Sequence, residues 1–265
     1  VLDATDLHAS YGHIPVLQGL SARFQTGRVT ALVGPNGCGK STLLKTIMGF
    51  VPLSSGRISL GDRLIGGIGR RELARRISYL PQECHCPDYM TLGELIELAG
   101  YARYGLGGGP SERDRALFAE ALKTVGLEDK ARAQVNTLSG GQRQRAFIAM
   151  VLAQDTEVIL MDEPVNHLDM KYQYAVLSLV RELTDRHGKT VIVVLHDLNL
   201  ASTFADDVIM LKAGRVLASG PVANTVTSAN VADVFDLEAD IFSRQGRLIC
   251  VPRLERQEQA IRHDI

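Results

Sequence analysis

The chain has 265 residues, 45% of them apolar and 22% charged, the proportions of an ordinary globular protein, which excludes a disordered or collagen-like chain. At about 150 residues per domain, the length allows one large domain or two small ones. Lys and Arg number 29 against 30 Asp and Glu, so the bulk basic charge of a protein living on nucleic-acid phosphates is missing, and no nucleic-acid partner is expected.

The first stretch reads as short strands parted by turns: Leu2 to Ser10, Val16-Leu17, Gly19 to Phe24 and, after a Thr26-Gly27 turn, the apolar run Val29 to Val33. From Lys40 the period becomes helical, with Leu43, Leu44, Ile47 and Met48 on one face and Gly49 as the stop. Strand-like pieces return at Arg57 to Leu60 and Ile77 to Leu80, around a helical Arg70 to Arg75. Cys84-His85-Cys86 follows. No second Cys or His pair stands at zinc-site spacing, so the segment reads as a loop, and four irregularly placed cysteines fit a reducing cytosol. Thr91-Leu92-Gly93-Glu94 and Ser111-Glu112-Arg113-Asp114 each start a capped helix, and Gly105 to Pro110 between them is a Gly-rich tip. Residues 84–155 therefore read as a helical subdomain inserted into a sheet protein. Buried-strand runs resume at Val158 to Met161 and Val191 to Leu195, separated by a helix from about Lys171 to Arg186 that ends at Gly188. Strands alternating with helices imply a parallel sheet covered on both faces. The tail reads as a hairpin turning at Ala213-Gly214, a short helix near Val231 to Phe235 and a last hairpin turning at Gln245-Gly246. Even Val191 to Leu195 is far shorter than the roughly 20 residues of a membrane span, and no charged-then-apolar leader opens the chain. The expectation is a chain that neither crosses a membrane nor carries a secretion signal.

Three motifs carry chemistry. Gly34-Pro35-Asn36-Gly37-Cys38-Gly39-Lys40-Ser41-Thr42 fits G-x-x-x-x-G-K-[ST] and sits between an apolar strand and a helix, the context the motif needs. Its glycines let backbone N–H groups converge on phosphate oxygens, Lys40 would neutralise the β and γ phosphates, and the Ser41 hydroxyl would ligate Mg²⁺. Ile159-Leu160-Met161-Asp162-Glu163 brings a carboxylate pair to a strand's C-terminal end, where Asp162 would hold Mg²⁺ through water and Glu163 would act as general base. Leu138-Ser139-Gly140-Gly141-Gln142 has the form of a capping box whose glycines leave N–H groups open to a second anion, which a single nucleotide site does not need.

On these residues the chain resembles the ATP-binding subunit of ABC transporters, with Leu138 to Gln142 as signature and Asp162-Glu163 as Walker B pair. The resemblance implies one domain over 1–265: an α/β P-loop NTPase (ABC ATPase) core with an N-terminal antiparallel β subdomain and a helical subdomain at about 84–155. It implies Tyr11 as the aromatic that stacks on adenine, Gln82 as the glutamine that reaches Mg²⁺ and links the site to the helical subdomain, and His196 as the histidine that contacts the γ phosphate. Asn166-His167-Leu168-Asp169 matches the loop across the dimer axis. With ATP and Mg²⁺ bound, two copies would pair head to tail, the Ser139 to Gln142 segment of one covering the ATP of the other. They would drive integral membrane permease subunits, and indirectly a substrate-binding protein, from the cytoplasmic side of the bacterial inner membrane. Gly140 to Gln154 and His196 to Ala201 are similar to the ferric-siderophore importers, a subfamily that includes haem and vitamin B12 importers. The chain departs from the pattern at Val165, where Thr or Ser is common, and at Gly105 to Gly109, which lacks the Arg-x-Pro-His element of many siderophore ATPases. Soluble ABC ATPases of repair or translation share the catalytic residues, but long coiled coils or a second cassette are absent from this chain.

Overall fold

The computed structural model of the chain describes residues 1–104, 108–166 and 168–253. Gly105, Leu106 and Gly107 of the expected Gly-rich tip, and His167, lie outside them. Two long strands, β1 (Leu2–Tyr11) and β2 (Ile14–Phe24), open the fold as an antiparallel pair. The pieces expected at Val16-Leu17 and Gly19 to Phe24 are one strand, because a register shift between Leu7 and His8 is absorbed without breaking the pairing. The chain then runs through β3 (Val29–Val33), α1 (Lys40–Ile47), β4 (Leu53–Leu60), β5 (Arg63–Leu64), α2 (Arg70–Arg76) and β6 (Ile77–Leu80). Next come α3 (Leu92–Glu97), α4 (Glu112–Thr124) and α5 (Gly140–Ala153), and after them β7 (Val158–Met161), α6 (Met170–His187), β8 (Thr190–Val194) and α7 (Leu198–Phe204). The tail holds β9 (Asp207–Lys212), β10 (Arg215–Pro221), α8 (Val222–Thr225), α9 (Ser228–Phe235), β11 (Ala239–Arg244) and β12 (Arg247–Pro252).

One four-stranded antiparallel sheet has the order β2-β1-β4-β5, and a six-stranded sheet the order β10-β9-β3-β8-β7-β6. β3, although next to β2 in sequence, leaves the first sheet for the middle of the second. All five of its residues are buried, as a strand covered on both faces requires. The second sheet is parallel except at β10, which returns antiparallel to β9 through a hairpin, so the expectation of a parallel sheet holds for five of its six strands. A two-stranded β11–β12 hairpin closes the described chain.

The pleat sorts the second sheet's side chains into two cores. Leu32, Leu160, Ile192 and Ile209 face Leu43, Leu44 and Ile47 of α1 and, beyond them, Leu7, Leu20 and Phe24 of the first sheet. Ala31, Met161, Val193 and Met210 face the opposite way, onto Phe147 of α5, Leu177 of α6 and Ala201 of α7. Each fully buried Leu, Ile or Phe contributes on the order of 1.5–3 kcal/mol to this arrangement. α3, α4 and α5 leave the sheet between β6 and β7, and all three begin with capping boxes, Thr91 with Glu94, Ser111 with Asp114 and Ser139 with Gln142. No described helix is long and apolar enough to cross a membrane.

Candidate functional site

The loop from β3 into α1 is fixed by a close approach. Gly34 has φ 149°, and a Cβ built on it would stand 2.1 Å from the Leu211 carbonyl of β9, so any side chain would push that strand away. Gly214, in the turn after β9, pins the loop from behind by donating its N–H to the Cys38 carbonyl at 3.0 Å. Lys40 is buried, and its Nζ donates to the Gly34 and Pro35 carbonyls at 2.8 and 2.9 Å. Cys38 is buried under the loop with Sγ 3.8 Å from that ammonium, and burial pushes its thiol up against the pull of Lys40. Above the loop opens a cavity of about 730 Å³ lined by Tyr11, Val16, Asn36, Gly37, Gly39, Lys40, Ser41, Thr42, Gln82, Glu163, Asn166 and His196, a size typical of small-molecule sites. Gly34, Pro35 and Cys38 shape the loop without lining it.

The second half of the site comes from the ends of β6, β7 and β8. Asp162, only 1% exposed, accepts from Ser41 Oγ at 2.9 Å on one oxygen and from the Tyr79 hydroxyl at 3.3 Å on the other. Burial pushes its carboxyl up, Glu163 adds to that, and the two hydroxyls oppose it. Glu163 sits in the left-handed region at φ 54°, a conformation unfavourable for a side-chain-bearing residue and kept where the surroundings impose it. The turn aims its carboxylate at three groups: Gln82 Nε2 donates at 2.8 Å, the Asn166 amide donates to the same oxygen, and His196 Nε2 lies 2.7 Å from the other. Gln82, Glu163 and His196, far apart in sequence, thus meet at one wall of the cavity that Lys40 and Ser41 floor.

Ser41 Oγ, the Asp162 carboxylate and the Gln82 side chain offer hard oxygen donors with one charge, the set that suits Mg²⁺ when substrate phosphates and water complete its shell. No cluster of three or more His, Cys, Asp or Glu side chains that could hold a metal by itself occurs among the described residues, and Cys84, His85 and Cys86 join none.

Ser139, Gly140, Gly141, Gln142 and Asp169 do not line this cavity. Ser139 caps α5 at an exposed corner, accepting from the Gln142 N–H while Gln142 Oε1 accepts from the Ser139 N–H. Asp169 caps α6 by accepting from the Tyr172 N–H at 3.2 Å, and the Tyr172 ring stands 3.7 Å from where a Cβ on Gly141 would lie. The corner and the cavity are nonetheless tied through α5: Arg143 donates to the Cys84 carbonyl beyond Gln82 at 3.0 Å, and Gln144 to the Pro164 carbonyl beside Glu163 at 2.8 Å. In the sequence Val16 and Tyr79 stand out only as strand residues, and nothing signals the contact of Asn166 with Glu163. Asn166 is read there only as part of a loop facing a partner, and Tyr79 only as one strand residue, because neither contact belongs to a contiguous motif.

A family model described as ABC transporter matches residues 17–166. The chain is 39% identical to the achromobactin transport ATP-binding protein CbrD of Dickeya dadantii (strain 3937) over 98% of both chains. It is 37% identical to the petrobactin import ATP-binding protein FpuD of Bacillus anthracis over 95% of this chain and 93% of that one. Against the hemin import ATP-binding protein HmuV of Streptomyces coelicolor it is 38% identical, over 94% of this chain and 89% of the other. Among solved structures it resembles an ABC transporter described as of metal-chelate type in an inward-facing conformation, with TM-score 0.82, 26% identity and coverage of 96% and 98%. It also resembles the dimeric cassette MJ0796 in a post-hydrolysis state bound to ADP and Pi, with TM-score 0.74, 30% identity and coverage of 84% and 99%.

Proposed function

Because the chain belongs to the ABC transporter family and is an ATPase of it, we propose that it is the ATP-hydrolysing subunit of an importer of ferric siderophores, acting as a head-to-tail pair beneath a membrane permease. The observation that carries the catalytic reading is the convergence of Gln82, Asn166 and His196 on the Glu163 carboxylate at the wall of the Lys40 cavity. In this reading Tyr11, half exposed at the mouth, stacks on adenine. The loop from Gly34 to Thr42 wraps the phosphates, and Lys40 exchanges its loop carbonyls for β- and γ-phosphate oxygens. Ser41, Asp162 and Gln82 would hold Mg²⁺, which when bound would neutralise charge on the β and γ phosphates. Glu163 accepts a proton from water as the water oxygen bonds to the γ phosphorus. The bond from that phosphorus to the bridging oxygen breaks, leaving ADP and phosphate, and His196 donates to the γ phosphate.

Ser139 to Gln142, at their exposed corner, cover the ATP of a second copy, and Asp169 approaches across the same axis. Closure of the pair on ATP and its opening after hydrolysis move the permease subunits through the surface near Gln82 and the helices at 84–155. The chain sits at the cytoplasmic face of the bacterial inner membrane, held by those subunits, with a substrate-binding protein supplying cargo from the other side. Achromobactin transport by CbrD and petrobactin import by FpuD support siderophore cargo, and hemin import by HmuV supports haem as the second reading. Glu163→Gln keeps the shape of the side chain and removes the base. Expected is a loss of turnover of more than about 100-fold with an ATP-bound dimer trapped on a sizing column. Hydrolysis at the normal rate would remove Glu163 as the base. Uptake assays with the partner permease and a panel of ferric chelates, haem and cobalamin separate the cargo readings.

A further inference from the structure

We propose that Tyr79 is a positioning residue of the Mg²⁺ site, its phenol holding the Asp162 carboxylate in the orientation the metal needs; this rests on the reading of Asp162 as a metal-holding residue. The sheet geometry dictates the meeting. β6 and β7 run parallel with Tyr79 opposite Leu160. Side chains two apart on a strand share a face, so Asp162 projects to the same side as Leu160 and hence as Tyr79. That is the face covered by α1, which carries Ser41. There the Tyr79 hydroxyl donates to Asp162 Oδ2 at 3.3 Å while Ser41 Oγ donates to Oδ1 at 2.9 Å. The Asp162 N–H donates to the Leu80 carbonyl at 2.9 Å, so the residue is gripped at its backbone as well. The phenol ring meets that of the exposed Phe50 edge-on, with centroids 5.8 Å apart at 61°.

The two hydroxyls differ in what they can keep doing. A Ser41 oxygen that ligates the metal can no longer be counted on to orient Asp162. Tyr79 is not a ligand and remains, and among the described residues it is then the side-chain donor left on that carboxylate. With Oδ2 tied to the phenol, Oδ1 is the oxygen that meets Ser41, a residue of the cavity wall. With the hydroxyl gone, Oδ2 of a carboxylate 1% exposed would be buried without a donor and free to swing. Mg²⁺ demands near-ideal octahedral geometry and tolerates such looseness poorly, and losing an outer partner of a ligand typically lowers metal affinity by about 10–100-fold.

Tyr79→Phe keeps the ring and its contact with Phe50 and deletes only the hydroxyl. Mn²⁺ affinity is measured by electron paramagnetic resonance on the full chain with a non-hydrolysable ATP analogue, and affinity for the analogue is measured separately in EDTA. Expected are a Mn²⁺ Kd raised about 10-fold or more and an unchanged metal-free analogue affinity. Phe50→Ala, which keeps the hydroxyl, should stay within about 2-fold of wild type for Mn²⁺. An unchanged Mn²⁺ Kd in Tyr79→Phe overturns the proposal, as does an equal loss in Phe50→Ala or a parallel loss of metal-free nucleotide binding. Asp162→Asn separates the two layers. If it abolishes Mn²⁺ binding while Tyr79→Phe leaves the Mn²⁺ Kd unchanged, the positioning role alone fails. If neither variant changes it, the reading of Asp162 fails with it.

Discussion

Asn166 shows how a single amide can bear on the chemistry. Of the three groups on the Glu163 carboxylate, Gln82 and His196 are the two expected to turn to metal and phosphate once ATP is bound. Asn166, three residues along the same turn with its N–H donating to the Glu163 carbonyl at 3.2 Å, is expected to stay beside Glu163, the base of the proposed reaction. Its amide then fixes which carboxylate oxygen faces water. Asn166→Ala is expected to lower kcat about 10-fold, the value of one hydrogen bond to a charged group, and to leave KM for ATP within about 2-fold. Steady-state kinetics read the split, and a change confined to KM would place Asn166 in nucleotide binding instead. What the sequence makes legible at this scale is the contiguous motif: Gly34 to Thr42 announces its own backbone geometry, and Gly34 is where the structure admits no side chain. The contacts of Tyr79 with Asp162 and of Asn166 with Glu163 are not legible, because they depend on strand register and on a strained turn that no local pattern encodes.

Among the elements, α4 and α5 depend on a pair that a pattern of apolar residues cannot reveal. Asp114 is buried at the start of α4. Burial alone would push its carboxyl up, but hydrogen bonds from Ser111 and Arg103 and the guanidinium charge hold it below the usual carboxylate range. Arg103 donates to Asp114 at 2.6 Å and reaches on to the Gln154 and Ala153 carbonyls at 2.5 and 2.9 Å, tying the start of one helix to the end of the other. Arg103→Met leaves Asp114 buried without its cation and should cost on the order of 2 kcal/mol, the lower part of the range for broken buried pairs because Arg103 is partly exposed. A group whose pKa is depressed by folding adds its stability above the unfolded value, and that stability is lost as pH falls through the folded one. The gap between wild type and Arg103→Met in denaturant midpoint should therefore be full at pH 6 to 7 and close below about pH 4. A gap independent of pH would mean that lost packing, not the ion pair, is responsible. The helix starts were legible, since Thr91, Ser111 and Ser139 are local capping signals, and all three boxes are formed. Strand limits were less so: β2 runs unbroken where the turn-like Gly19 suggested an interruption.

For the whole molecule, the six-stranded order β10-β9-β3-β8-β7-β6 could not be read from the alternation of elements, because neighbours in the sheet are distant in the chain. That order nonetheless brings the ends of β6, β7 and β8 beside the loop leaving β3. It also leaves Ser139 to Gln142 outside the cavity, at a corner linked to it by Arg143 and Gln144 of α5. On the proposed reading such a chain carries two half-sites rather than one whole one, and two-fold pairing would complete both. Mixing two defective chains tests this most directly. Glu163→Gln lacks the base but keeps its corner, whereas Ser139→Arg blocks the corner but keeps the base. Each alone should be inactive, and an equimolar mixture should recover up to about a quarter of the wild-type rate, because one site in each mixed pair is intact. Full hydrolysis by Ser139→Arg alone, at a rate independent of protein concentration, would show that one chain's own cavity suffices and would contradict the paired site.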